Sequence, residues 1–226
     1  MERQPTLETE RLVLRPLAET DREALFGIAS DPAVWEQHPI HDRWRRDVFD
    51  AFFDTCLASG GALAVLDRRD ERMLGMTRFD RFDPDEGGVV EIGWTFLAPR
   101  CWGKGYNPEM KRAMLAHAFA HVALVEFRVG DTNYRSRNAL EAIGATRTTR
   151  YELGRYQGKR VVHLVYEIDR ESHQQGPLAF LYQLFLYFLL LPHELQFAPY
   201  TRLSESEVQS LQFLLSRHQI EWLHRP

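Results

Sequence analysis

A mixed α/β domain over residues 1–170 is predicted, followed by a helical extension over 171–226. Short strand-like apolar runs alternate with stretches of helical periodicity, and a glycine-bearing turn joins a strand directly to a helix near 97–108. The composition then changes after Asp169, where an apolar run between prolines follows. With 226 residues, 44% of them hydrophobic, the chain can bury one full core and carry an appendage.

Glu10–Leu17 places apolar side chains at Leu12 and Leu14 and reads as a strand. Thr20 and Glu23 have capping-box spacing, and Ala24, Leu25 and Ile28 then form a helical stripe. A longer helix is predicted over about 41–59, where Trp44, Val48, Phe49, Phe52, Phe53 and Cys56 recur at helical spacing. Strands at Ala62–Asp67, Met73–Arg81 and Val89–Ala98 follow, separated by the turn residues Arg69–Glu71 and Asp83–Gly88. A helix over Pro108–His121, a strand over Val125–Gly130 and a helix over Ser136–Ile143, stopped by Gly144, come next. Strands near 147–155 and 160–168 flank a turn at Tyr156–Lys159 and close the domain.

The extension reads as two helices. Leu178–Leu191 is apolar except for Gln183, and its fourteen residues are short for a membrane span. Ser204 and Glu207 form a second capping-box pattern, after which Val208, Leu211, Leu214, Leu215 and Trp222 fall largely on one face. A hairpin packed on the domain, or on a second copy as a homodimer, is the plainer reading. A membrane-surface anchor is the sharper one.

A net charge of −4 argues against a nucleic-acid partner. The two cysteines, Cys56 and Cys101, lack CxxC or His/Cys neighbours, so neither a zinc site nor a disulfide framework is expected. That usage fits a cytoplasmic protein, and the charged N-terminus lacks a signal peptide's apolar core. His117 and His121 lie four apart, but no glutamate completes an HExxH pattern, and no metal is expected.

Arg100-Cys-Trp-Gly103-Lys-Gly105 carries the chemistry. A strand enters it and a helix leaves it, with Asn107 suited to the N-cap and Pro108 to the first turn. Unpaired N–H groups and the helix dipole attract anions at such a point, and the glycines permit close backbone approach. Lys104 is followed by Gly105, which excludes a Walker A loop, and Pro108 stands where the dinucleotide fingerprint needs a third glycine. Taken alone, the loop also admits a plainer reading, a strand-to-helix turn that binds nothing.

The pattern Arg-x-x-Gly-x-Gly resembles the acetyl-CoA signature of the GNAT superfamily of N-acetyltransferases. The preceding Glu91-Ile-Gly-Trp94 resembles the Rim-like branch, which contains the ribosomal-protein N-terminal acetyltransferases. Asn133-Tyr-Arg-Ser136 through Gly144 and the opening Thr9–Pro16 match further motifs of that branch in register, over residues 7–169. The resemblance implies a mostly antiparallel twisted sheet flanked by helices, with acetyl-CoA as cosubstrate. It places the pantetheine arm along the backbone of Phe96 and Leu97 and near Asn133. The pyrophosphate falls on the amides of Trp102, Gly103, Lys104 and Gly105, beside Arg100 and Tyr106. Trp35, His38 and Trp94 would border the acceptor, an amine on a peptide N-terminus or a small molecule. Asn107-Pro108 depart from the small residues usual there, and the tyrosine that many members keep near the leaving sulfur has no assigned counterpart.

Aminolysis of a thioester needs a neutral amine and a proton for the departing thiolate. Glu91 is the candidate base, or else a partly exposed structural carboxylate. Ser136 is the candidate proton donor, or else a helix cap. Arg43, Arg45 and Arg46 are expected on an exposed helix face. The competing class is a catalytically silent member of the fold that acts through its C-terminal helices.

Overall fold

The computed structural model describes residues 1–175. The two helices expected from residue 178 onward, with the dimer and anchor readings attached to them, lie outside the described residues. The described elements are β1 (Leu7–Glu8), β2 (Leu12–Pro16), α1 (Arg22–Ala29), α2 (Arg46–Ala58), β3 (Ala62–Asp67), β4 (Met73–Asp83) and β5 (Val89–Leu97). After them come α3 (Tyr106–Phe119), β6 (Leu124–Gly130), α4 (Tyr134–Ala142), β7 (Thr146–Tyr156), β8 (Lys159–Asp169) and α5 (Arg170–Gln175). Eight strands form one sheet in the order β1-β2-β3-β4-β5-β6-β8-β7. Every pair is antiparallel except β5–β6, whose parallel run requires the α3 crossover.

That parallel pair is brief. Val89, Val90 and Glu91 face Leu124, Val125 and Glu126, and there the pairing stops. Beyond Glu91, β5 stays with β4 as far as Leu97, while β6 stays with β8 as far as Gly130. The sheet therefore opens between β5 and β6. A bulge in β5 accounts for the divergence: Arg78 pairs with Gly93 and Met76 with Phe96, so Trp94 and Thr95 together oppose Thr77. Trp94 sits at φ 51, and a bulge of this kind bends and twists its strand.

Helices cover both faces. β4 sends Thr77 and Phe79 toward α3, where they meet Met114 and His117, and turns Arg78 to the opposite face beside Cys56 of α2. Phe49, Phe52, Phe53 and Cys56 recur along one side of α2 and are all buried, as their spacing predicts. Residues 41–45 do not join α2. Asp42 instead accepts hydrogen bonds from the Tyr156 hydroxyl and, at 2.8 Å, from Gln157 Nε2, which holds the chain against the β7–β8 turn.

Three caps differ from their sequence patterns. The Thr20/Glu23 box does not form, because Asp21 accepts the Ala18 N–H at 2.9 Å and closes a short 3₁₀ turn, Glu19–Asp21, ahead of α1. Gly105, at φ 80, precedes α3, so Asn107 and Pro108 are its second and third residues. Asn133, not Ser136, caps α4. The Gly144 stop is as expected: its φ is 91, and the N–H groups of Gly144 and Ala145 bond Glu141 and Leu140 carbonyls at 3.0 Å each. No described helix is long and apolar enough to cross a membrane.

The loop between α1 and α2 reaches the end of β6, where Gly130 packs under Pro39. A Cβ on Gly130 would lie 2.5 Å from Pro39 Cγ and 2.7 Å from Cδ. Gly130→Ala is expected to cost about 1–3 kcal/mol through overpacking, visible as a lower midpoint in thermal denaturation.

Candidate active site

The loop that enters α3 holds its glycines in left-handed conformations, φ 69 at Gly103 and φ 80 at Gly105. The N–H groups of Gly103, Gly105, Tyr106 and Asn107 find no backbone acceptor among the described residues. They stand at the positive end of the α3 dipole, an arrangement that fits a diphosphate. The amides of Trp102 and Lys104 are instead turned onto the carbonyls of Pro99 at 3.1 Å and Cys101 at 3.4 Å. The loop amides left free are thus narrower than the sequence suggests, and they extend one turn further into the helix. Pro108 has no N–H to add.

Arg100 points elsewhere than expected. Its Nη2 donates to the Met73 carbonyl at 2.8 Å and ties the loop to the start of β4, which leaves exposed Lys104 as the loop cation without a side-chain partner among the described residues. Trp102 donates Nε1–H to the Leu97 carbonyl at 2.9 Å, and the Arg135 guanidinium stacks 4.0 Å above its ring. Phe96 is buried against Trp35 and Phe52.

A further anchor escaped the motif reading. Arg11 Nε donates to Glu109 Oε2 at 2.6 Å, its backbone N–H to Oε1 at 2.9 Å, and Thr9 Oγ1 to Oε1 at 2.5 Å. Arg11 Nη1 also reaches the Lys104 carbonyl at 3.0 Å, and its guanidinium covers the Tyr106 ring at 4.3 Å. Burial pushes the Glu109 carboxyl up, but the bonds from Thr9 and Arg11 outweigh it and hold the pKa below the usual carboxylate value. The β1–β2 turn thus braces the first turn of α3. Glu109 in a first turn looks like ordinary dipole compensation, and its partner lies 98 residues away.

Glu91 occupies the last β5–β6 pair, at the apex of the opening. It is 2% exposed, so the partly exposed reading does not hold. Its Oε2 accepts from Arg128 Nη1 at 2.9 Å and Arg81 Nε at 3.2 Å. Burial pushes its pKa above the usual value and those two arginines pull it back. Arg128 also pairs with Glu126 and Glu152, so Glu91 belongs to a network on this face. Ser136 lies in the first turn of α4, where its N–H bonds Asn133 Oδ1 at 3.2 Å; its hydroxyl has no protein partner among the described residues.

Of the residues expected to border an acceptor, Trp35 is a core residue. It is 3% exposed and its Nε1–H is satisfied by the Ala29 carbonyl at 2.7 Å. His38 lines a cavity of about 450 Å³ with Pro39, His41, Asp131, Thr132 and Tyr156. Its Nδ1 accepts the Ile40 N–H at 2.9 Å, and burial, with Arg43 and His163 nearby, pushes its pKa well below the imidazole value. Arg43 does not decorate the surface: it stacks on Phe52 at 4.2 Å, and burial lowers its pKa to about 10. Trp94 rides on the bulge with the Arg78 guanidinium 3.8 Å from its ring centre. His117 and His121 contact each other at 5.5 Å between ring centres, and no metal-binding cluster occurs among the described residues.

The sequence reading also passed over Lys111, which sits in the otherwise apolar inner face of α3. It is 4% exposed, and burial alone lowers its pKa to about 7. The folded chain therefore releases this proton near pH 7, whereas the unfolded chain holds it to about 10.4, so stability gains with pH across that window. Lys111→Met is expected to raise the melting temperature at about pH 6, with the gain shrinking by about pH 9. Glu109→Ala is expected to cost about 2–4 kcal/mol, by stranding Arg11 and the Thr9 hydroxyl, as read by chemical denaturation.

Comparison with known proteins supplies the family. A model of the acetyltransferase (GNAT) domain matches residues 11–146. An uncharacterized N-acetyltransferase of Bacillus licheniformis, p20, is 28% identical over 145 residues, covering 61% of this chain and 80% of that protein. A GCN5-related N-acetyltransferase from Brucella melitensis superposes with a TM-score of 0.68 at 21% identity, over 81% of this chain and 86% of its own. Mycobacterium smegmatis RimJ, solved in complex with CoA-disulfide, gives a TM-score of 0.58 at 19% identity, over 77% and 89% of the two chains. Those structures share the fold, and the domain match spans more than half of the sequence: the chain belongs to the GNAT family of acetyltransferases.

Proposed function

We propose that this protein transfers the acetyl group of acetyl-CoA to a primary amine, on a peptide N-terminus or a small molecule, by direct attack in a ternary complex. The observation that carries the proposal is the alignment of two features. Amides at the start of α3 lack backbone acceptors among the described residues, which suits an anion, and β5 and β6 part just beyond the buried carboxylate Glu91. The diphosphate binds the N–H groups of Gly103, Gly105, Tyr106 and Asn107, and the pantetheine lies along the free edge of β5 at Phe96 and Leu97.

An N-terminal amine has a pKa near 8, so its deprotonation needs only a modest base. Glu91, raised by burial, takes that proton directly or through a water while Arg81 and Arg128 hold its orientation. The Ser136 hydroxyl, free of protein partners among the described residues, donates its proton to the departing thiolate and is reprotonated from solvent, to which Glu91 passes the proton taken from the amine. Alignment of the two bound reactants supplies much of the remaining acceleration.

Acetyl-CoA is expected to raise the melting temperature of the protein, and a panel of amines to reveal thiol release with at least one acceptor. No stabilisation by any acyl-CoA would sink the proposal. Gly105→Val puts a branched side chain at φ 80, with its Cβ 3.3 Å from Arg11 Nη2, and is expected to weaken acetyl-CoA binding by roughly ten-fold or more. Glu91→Gln is expected to lower kcat by on the order of 100-fold with acetyl-CoA affinity nearly unchanged. An unchanged kcat would assign the proton to solvent.

A further inference from the structure

Lys111 is a buried amine with no counterion among the described residues. Its Nζ donates to Thr95 Oγ1 at 2.8 Å and Thr77 Oγ1 at 3.5 Å, and lies 5.9 Å from the centre of the Phe127 ring. Thr95 is the second residue of the bulge on β5, and Phe127 is the first β6 residue past the last β5–β6 pair. Nζ therefore spans the floor of the opening from the α3 side. Glu91 looks out on the other side, with Glu126 and Arg128, which flank Phe127 in sequence and point the opposite way.

The hydrogen-bond inventory is incomplete. An ammonium has three donors, and the two threonine hydroxyls take two of them. Among the described residues, the groups found against Nζ are Thr77 of β4, Thr95 of β5 and Phe127 of β6, none of them charged. Only burial perturbs the amine. A methionine or leucine would fill such a position without the desolvation cost of an amine, so a purely packing role leaves the residue type unexplained.

We propose that Lys111 is a cosubstrate-binding residue whose third N–H donates to a carbonyl oxygen of the acyl-pantetheine arm between β5 and β6. This rests on the reading that acyl-CoA occupies that opening. A carbonyl bound to the ammonium form holds the proton on, so binding draws a proton from solvent at neutral pH and above. Acetyl-CoA affinity in the wild type then falls as pH rises through the titration of the free protein's amine.

Calorimetric titration of acetyl-CoA into the full-length protein at about pH 6 and about pH 8.5 tests this. The wild type is expected to bind several-fold more weakly at the higher pH, with proton uptake detected by comparing buffers of different ionisation enthalpy. Lys111→Met is expected to bind about ten-fold more weakly than the wild type at the lower pH and to lose the proton uptake. Thr95→Val, which removes the hydroxyl that orients the amine, is expected to fall between them and serves if the methionine variant does not fold. Affinity within two-fold of the wild type at both pH values, with proton uptake unchanged, overturns the assignment. Absence of binding by the wild type overturns the acyl-CoA reading and this assignment with it.

Discussion

The arrangement depends on one backbone irregularity, the two-for-one bulge at Trp94 and Thr95 of β5. Without it, β5 and β6 would continue to pair past Glu91 and the sheet would close over the opening. A non-glycine residue held at φ 51 costs about 1–3 kcal/mol. The surroundings offset that cost from both faces. Arg78 stacks on the Trp94 ring from one side, an interaction of about 2 kcal/mol when desolvated. From the other side, Thr77 and Lys111 hydrogen-bond Thr95. The strained residue is thus over-determined by its neighbours, and the opening is a property of the packed sheet.

The loop that enters α3 inherits its position from that sheet through three short tethers. Arg100 binds the Met73 carbonyl, Trp102 binds the Leu97 carbonyl, and Arg11 joins Glu109 to the Lys104 carbonyl. Cationic side chains near an anion site are readily assigned to the anion, yet Arg11 and Arg100 are spent on holding backbone in place. What faces outward is mainly amide N–H, which suits a ligand that must be bound and released. The two faces of the opening also differ in electrostatics. A network of carboxylates and arginines surrounds Glu91, whereas the α3 side presents two hydroxyls and a single amine among apolar groups.

Much of the domain was legible because its signals are local. The strands at 62–67, 73–83 and 89–97 lie within a residue or two of their predicted ranges, since apolar runs and turn residues mark them independently of partners. The stripe on α2 and the stop at Gly144 were legible for the same reason. The start of α2 was not, because Asp42 is bound by Tyr156 and Gln157 from the far end of the chain. Likewise the helix starts at 106 and 134 depend on where a left-handed glycine and an asparagine cap sit, which competing cap residues nearby obscure.

By itself, then, the sequence determined the class of fold, the family and the place where a glycine-bearing turn opens a helix, because motif order and periodicity are written along the chain. The tertiary structure decided what each charged side chain does there. Arg100, Arg43 and Trp35 turned inward, Glu91 became buried between two arginines, and Glu109 and Lys111 emerged as participants. The physical reason is that charge, burial and hydrogen bonding depend on partners brought together across the sheet. At Arg100–Gly105 the sequence located the loop, and only the fold showed which of its groups remain free.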